Sequence, residues 1–425
     1  VDDVTFLRDQ RWLADIAAQV IGEGADDLTA AKRLFQWTIE SLAIIADPPS
    51  VPSEESPGSR WYTPGEILLS GMASAPQRAW VFLELMRHAG LDGVMLGTRP
   101  GPGEPARPWV PALVSGGECY LFEPTYGIPI PGPDWQGIAT ARQAASNPDI
   151  LRQLNVPERA YPVRSQDLQQ LVVLVAASTQ SFAERMRQLE GDLTGAASMR
   201  IAVDARGLAQ RALAGLPTGQ GEADAPVVLP ASIWTFPLET VRRRLESSAV
   251  GQALARQLAP FSIALVTDEA RGAAGGARRP LYVARVREFR IQLDGPDGAK
   301  AAYLLARPSK TRIKEIVSMV DPAQQEAVDR VCLRMKENAT YWLGLVMARE
   351  GQFEAAVDYL DRMTLSGSSN STWADAARLA AARAYAGLGR IDRAKELLLQ
   401  DESAQRFGSR ISAERLVEPT TTSSQ

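Results

Sequence analysis

Three short stretches carry residue types at spacings that could do chemistry. They are SAPQRAWVFLELMRHAGL from Ser74 to Leu91, RPWV from Arg107 to Val110, and EPT from Glu123 to Thr125. The first predicts a helix whose opening turn could hold a reactive group, since unpaired amides and the dipole at a helix N-terminus stabilise an anion and lower a thiol pKa. That turn instead holds Ala75 and Pro76, with Ser74 in the N-cap position. The apolar face behind it is Ala79, Phe82, Leu83, Met86 and Leu91. Other reactive types are sparse. His88 is the only histidine, and Cys119 and Cys332 are the only cysteines. These counts exclude a disulfide framework and a cysteine zinc site, and they leave most hydrolytic chemistry without its usual base. His88 stands about 20 Å along the helix from Ser74 at 1.5 Å per residue, so the two cannot touch. Cys119 reads as a small core hydrophobe. The acidic pairs Asp26 and Asp27, Glu54 and Glu55, and Asp294 and Asp297 read as caps and turns. DGPDG at 294–298 lacks the ligand spacing of an EF-hand, and no glycine motif cradles a phosphate. No metal site and no cofactor is expected.

Together the three stretches resemble the transglutaminase-like superfamily. Its members start such a helix with a cysteine and end it with arginine, a small residue and glycine. A histidine then opens a strand of the HAWV type, and an aspartate follows in a DPT motif after the next strand. Arg87, Ala89 and Gly90 match the helix ending, Trp109 and Val110 the first strand, and Pro124 and Thr125 the second. Carried over residue by residue, the nucleophile falls on Ala75, the base on Arg107 and the orienting acid on Glu123. A register anchored on Gly71 places the nucleophile on Ala73, again an alanine. The resemblance spans roughly residues 5 to 132. It implies an α+β, papain-like domain in which no catalytic residue is expected, with Ser74, Trp109 and Glu123 as cleft candidates. Arg107 and Glu123 either grip each other through two parallel hydrogen bonds or stand apart as solvated hairpin residues. Arginine stays protonated, so it cannot replace the base.

The elements that must position these residues follow from periodicity. Phe6 to Val20 predicts one helix, and TAAKRLFQWTIESLAII a second, capped by Asp27 or Thr29, with Ala31, Leu34, Phe35, Trp37, Thr38 and Leu42 on its buried side. After a proline- and serine-rich loop at 48–59 come the helix of Ser74, a strand VMLGT, and a hairpin of WVPALV and CYLFEP joined by SGGE. Between 165 and 309 the pattern predicts mixed α and β. SQDLQQLVVLVAA, SFAERMRQLEGDL, ARGLAQRALAGL and LETVRRRLESSAVGQALARQLA read as helices; MRIAVDA, FSIALVT, LYVARVREFRIQL and AAYLLARP read as strands.

The C-terminal part is helical and repeats itself. Gly344, Gly351, Phe353, Ala356 and Leu360 recur at an offset of 38 as Ala382, Gly389, Ile391, Ala394 and Leu398. This resembles the tetratricopeptide repeat, whose period is about 34, with SGSSNST accounting for the excess. The helix DPAQQEAVDRVCLRMKEN is expected to pack as a neighbour of the two copies. The combination resembles larger bacterial proteins, planctomycete ones among them. The expected domains are a transglutaminase-like domain over 1–135, a mixed α/β domain over 136–309, all-α tetratricopeptide-like repeats over 310–416, and a disordered tail over 417–425.

Charge and hydropathy narrow the functions. Forty-six basic against 50 acidic residues, a net charge of −4, leave no basic footprint for nucleic acid. The longest apolar run, Leu171 to Ala177, is far short of the roughly 20 residues that cross a bilayer. The chain starts at Val1, and removal of a leader or anchor would place it outside the cytoplasm or at the envelope. The expected function is that of a catalytically inactive scaffold: a relic cleft and helical repeats that bind a protein or peptide partner. The rival is a hydrolase or acyltransferase acting on peptide or amide substrates through Ser74, Arg107 and Glu123. A third possibility makes the first domain a platform for oligomer formation.

Overall fold

The structure, a computed structural model, describes residues 3–46, 61–99, 101, 104–217, 231–265, 278–367 and 371–416. It mixes helices and strands and ends in a helical region. The chain divides into two compact units, Val1–Leu68 with Met72–Val250, and Leu69–Gly71 with Gly251–Gln425. The division near 250 falls inside the segment expected as a middle domain over 136–309. Strands from the supposed middle domain complete the sheet of the first unit, and the remainder of that segment folds with the C-terminal helices. The tail over 417–425 lies outside the described residues.

In the first unit, α1 (Asp3–Ile21) and α2 (Asp27–Ser41) bury the apolar stripes that their 3.6-residue spacing announces. Asp26, rather than Asp27 or Thr29, caps α2, accepting from the Thr29 amide at 2.7 Å. Next come β1 (Ala43–Ile44), α3 (Pro64–Ser70), β2 (Met72–Ala73), which pairs with β1, and α4 (Ala75–His88). Then follow β3 (Asp92–Thr98), β4 (Arg107–Ser115), β5 (Glu118–Glu123), β6 (Ile128–Pro129), α5 (Ala141–Ser146), α6 (Pro148–Arg152), β7 (Leu171–Val175), α7 (Glu184–Asp192), α8 (Ala205–Ala214), β8 (Ala231–Ile233) and α9 (Thr235–Glu246). The main sheet has the order β6-β5-β4-β3-β7-β8. The predicted hairpin forms: Ser115 faces Glu118 across Gly116 and Gly117, both at positive φ as a two-residue turn between twisted strands requires.

Several expectations fail here for identifiable reasons. LVVLV is a strand, not a helix. It pairs with β3 on one side and β8 on the other, and all five residues are buried, so the two-residue alternation that marks a strand is absent. MRIAVDA keeps the alternation of a strand, with Met199, Ile201 and Val203 buried, but pairs with no strand among the described residues. Its amides go to side chains and a loop instead: Ile201 and Ala202 to Glu190 Oε2 at 2.7 Å each, and Val203 to the Ser181 carbonyl at 3.1 Å. The helix expected over 238–259 breaks at Ser247 into α9 and α10 (Ser248–Ser262), where the Ser247 hydroxyl competes for a backbone amide.

The second unit holds α11 (Pro280–Phe289), α12 (Ala299–Leu305), α13 (Lys310–Ser318), α14 (Pro322–Arg349), α15 (Phe353–Val357), α16 (Ala374–Gly387), α17 (Ile391–Leu399) and α18 (Arg406–Arg415). The segments read as strands over 281–293 and 301–308 are helical as far as Phe289 and Leu305 and end in turns. Leu281, Ala284, Arg285, Glu288 and Phe289 are buried at three- and four-residue intervals, a helical spacing masked by alternating arginines. Of FSIALVT, Phe261 and Ser262 end α10 and Leu265 bridges to Arg278; its last two residues lie outside the described ones. Asp294 and Asp297 accordingly sit in a turn between helices rather than strands.

The helix expected as a neighbour of the repeats runs on into the first repeat helix, both within α14. The 38-residue echo is structural. Gly351 and Gly389 both sit at positive φ, 73° and 72°, where α14 turns into α15 and α16 into α17. Ala356 and Ala394 are both fully buried. Gly344 lets the helices close, because a Cβ there would lie 2.7 Å from Leu360 Cγ.

Candidate functional site

Helix α4 is central to the first unit, buried on every side from Gln77 to Met86. Its first turn is built as the residue types suggest, with Pro76 where a missing amide costs nothing. The Ser74 amide donates to Gln77 Oε1 at 2.9 Å. Ser74 Oγ is buried and has no hydrogen-bond partner. Ala75, where the resemblance would put a nucleophile, is half-buried beside it.

Arg78, one turn into α4 and 1 % exposed, ties this end of the helix to the EPT segment. It donates from Nε and Nη2 to the Leu42 carbonyl at 3.0 and 2.6 Å, and from Nη1 to the Pro124 carbonyl at 3.1 Å. The start of α4 and the end of β5 therefore do meet.

Arg107 does not join them. Its side chain is exposed, and its ion-pair partner is Glu104 at 3.8 Å. Glu123 is 5 % exposed and bonded elsewhere, so no Arg107–Glu123 ion pair exists. Two features separate them. The β4–β5 ladder begins at Ala112 opposite Leu121, and the β3–β4 register shifts between Leu96 and Gly97, leaving Trp109 as the extra residue of a bulge. A bulge re-aims side chains, and here it turns Trp109 inward while Arg107 faces solvent.

The inward side is a hydrogen-bonded set. Trp109 Nε1 donates to the Tyr161 hydroxyl at 2.9 Å, and that hydroxyl donates to Glu123 Oε2. The Thr125 amide donates to Glu123 Oε1 at 2.8 Å, and Tyr126 packs edge-on against Tyr161. Burial raises the Glu123 pKa, against the pull of the Tyr161 and Thr125 hydrogen bonds. Burial, with the Glu123 charge, holds the Tyr161 phenol well above its usual range. Arg78 and Tyr161 are the residues that sequence reasoning missed. Arg78 sits inside an apolar helical stretch, and Tyr161 lies in an aperiodic segment 38 residues beyond Glu123; neither position gives a local signal.

The chain matches no family model, no curated protein and no solved structure. Among the described residues no helix is long and apolar enough to cross a membrane, and no group of three or more His, Cys, Asp or Glu is placed to hold a metal ion.

The other reactive types are occupied by packing. Burial, with Glu118 nearby, pushes the Cys119 thiol up to about 12, and its Sγ donates to the Ala212 carbonyl at 3.4 Å. His88, at the far end of α4, accepts at Nδ1 from the Arg200 amide at 3.3 Å, so Nε2 donates to Gln10 Oε1 at 2.8 Å. Burial and then the charges of Arg87, Arg200 and Arg11 lower its pKa to about 3. The unfolded chain therefore binds a proton between pH 3 and 6.5 that the folded chain refuses, and stability rises with pH across that window. His88 alone removes about 3 kcal/mol at pH 4. Asp9 works in the opposite sense: burial raises its pKa to about 6, so its protonation favours the fold below that pH. The imidazole NMR signals, from a single residue, should not titrate between pH 8 and pH 4, and His88→Gln should flatten the rise of urea unfolding free energy with pH. A midpoint near 6 would contradict the neutral, partly buried ring.

Proposed function

We propose that this protein is a catalytically inactive scaffold whose first unit holds a transglutaminase-like domain and whose C-terminal helices are tetratricopeptide-like repeats that bind a protein or peptide. The observation that carries the reading is the Trp109–Tyr161–Glu123 set. Where a base and its orienting acid would stand, the carboxylate oxygens of Glu123 accept from a phenol and a backbone amide. Ala75 offers no nucleophile, and the exposed cation at Arg107 offers no base. The rival enzyme needs a general base within hydrogen-bond reach of the Ser74 hydroxyl, and that hydroxyl makes no hydrogen bond. The repeated turns at Gly351 and Gly389 and the close approach at Gly344 support the repeat reading.

The test is turnover. The native chain should show no amide hydrolysis or acyl transfer above background; activity abolished by Ser74→Ala or Glu123→Gln would establish the rival. Ala75→Cys should introduce a thiol that iodoacetamide alkylates, with a pKa below the free value of about 8.5 because of its place at the helix N-terminus. No acyl-enzyme should accumulate, because no imidazole stands beside it.

A further inference from the structure

We propose that the cleft between α6 and the 3₁₀ segment Ser165–Gln170 binds a small organic carboxylate, anchored by Arg164 and Ser165. The cleft has a volume of about 450 Å³, and its walls include Leu151, Arg152, Asn155, Tyr161, Arg164 and Ser165. No aspartate or glutamate lines it.

The polar side chains of the walls are donors. Ser165 is 8 % exposed, and its Oγ has no hydrogen-bond partner. A hydroxyl buried in this way is destabilising unless something accepts from it. The Arg164 guanidinium has no hydrogen-bond or ion-pair partner among the described residues; only its backbone is engaged, the amide donating to the Asp167 carboxylate at 2.8 Å and the carbonyl accepting from the Asp167 amide at 2.9 Å. Arg152 meets Asp149 at 2.9 Å with both side chains mostly exposed, a contact that solvent or a ligand replaces at little cost. Asn155 uses its carbonyl oxygen to accept from the Tyr161 amide at 2.8 Å, which leaves its NH₂ group as a donor. The Tyr161 hydroxyl is already committed to Glu123 and Trp109.

A wall of cations and donors without a fixed acid selects a ligand that is negative and rich in acceptors. Arginine's planar fork matches a carboxylate with two parallel bonds. Pro148, Leu151 and Val163 supply apolar wall, which suits a carbon skeleton rather than a bare inorganic ion.

The test is titration calorimetry of the full chain with succinate, ionic strength held constant with chloride. Saturable binding at one site per chain is expected. Arg164→Gln, at an exposed position that should not disturb folding, should weaken it at least about tenfold. Ser165→Ala should weaken it about fivefold, with thermal unfolding confirming that the variant is folded. Arg206→Gln, an exposed arginine on α8, should leave it unchanged. Absence of saturable heat, equal affinity in Arg164→Gln, an equal loss in Arg206→Gln, or inorganic phosphate binding as tightly as succinate would each overturn the assignment.

Discussion

Arg78→Met is expected to lower the unfolding free energy by about 3–5 kcal/mol. The guanidinium is buried and bridges two backbone carbonyls, Leu42 just after α2 and Pro124 just after β5. Methionine fills much of the volume but leaves both carbonyls without these donors, and each costs about 1–3 kcal/mol when buried and unpaired. Lysine should recover part of the loss, because one ammonium reaches one carbonyl at a time and lacks the fork. Urea unfolding of the three proteins checks the order wild type, Arg78→Lys, Arg78→Met. Equal stability would mean that the join between α4 and β5 depends on apolar packing alone. Should the order hold, loss of the Arg78 bridge should also loosen the Trp109–Tyr161–Glu123 set, because Pro124 follows Glu123 directly.

Glu288→Ala should cost a similar amount, about 3–5 kcal/mol, in the second unit. Glu288 is the hub of a buried charge network. Arg285 reaches it at 2.7 Å with both side chains under 5 % exposed, Arg349 reaches its other oxygen at 2.6 Å, and the Tyr303 hydroxyl donates to it. The Arg285 guanidinium also lies 4.4 Å from the Trp342 ring centroid. Burial by itself would raise the Glu288 pKa, but the charges of Arg285 and Arg349 more than offset that and hold it below the ordinary carboxylate value. Its stabilisation is therefore present above the carboxylate's ordinary pKa and fades as pH falls through the depressed one. Removing the carboxylate leaves Arg285 as an uncompensated buried cation, whereas removing both partners does not. The double variant Arg285→Met with Glu288→Leu should accordingly be more stable than Glu288→Ala alone, and denaturant unfolding of the cycle checks it. A double variant less stable than the single one would show that the network contributes more than charge balance.

What the sequence by itself determined is what local rules govern. The helical spacing of α1, α2 and α4, the proline and serine opening of α4, the Gly116–Gly117 turn and the paired turns at Gly351 and Gly389 are each set by backbone preference within a few residues. Those features came out as expected. The strand of Leu171–Val175 and the helix of Pro280–Phe289 did not, because both lie where tertiary burial overrides the pattern: one is buried on both faces and loses alternation, and the other buries charged residues on its packed side. The candidate site divides in the same way. Ser74, Ala75 and Glu123 were placed by their local context, and the start of α4 and the end of β5 do come together. Whether Arg107 or Trp109 faces inward depends on a bulge, and a bulge depends on the pairing of β4 with β3, which no local sequence encodes. Arg78 and Tyr161 entered the site only through contacts 46 and 38 residues away in the chain. Only the tertiary structure decided their partners, because a buried hydrogen bond is specified by where two distant segments meet and not by either segment alone.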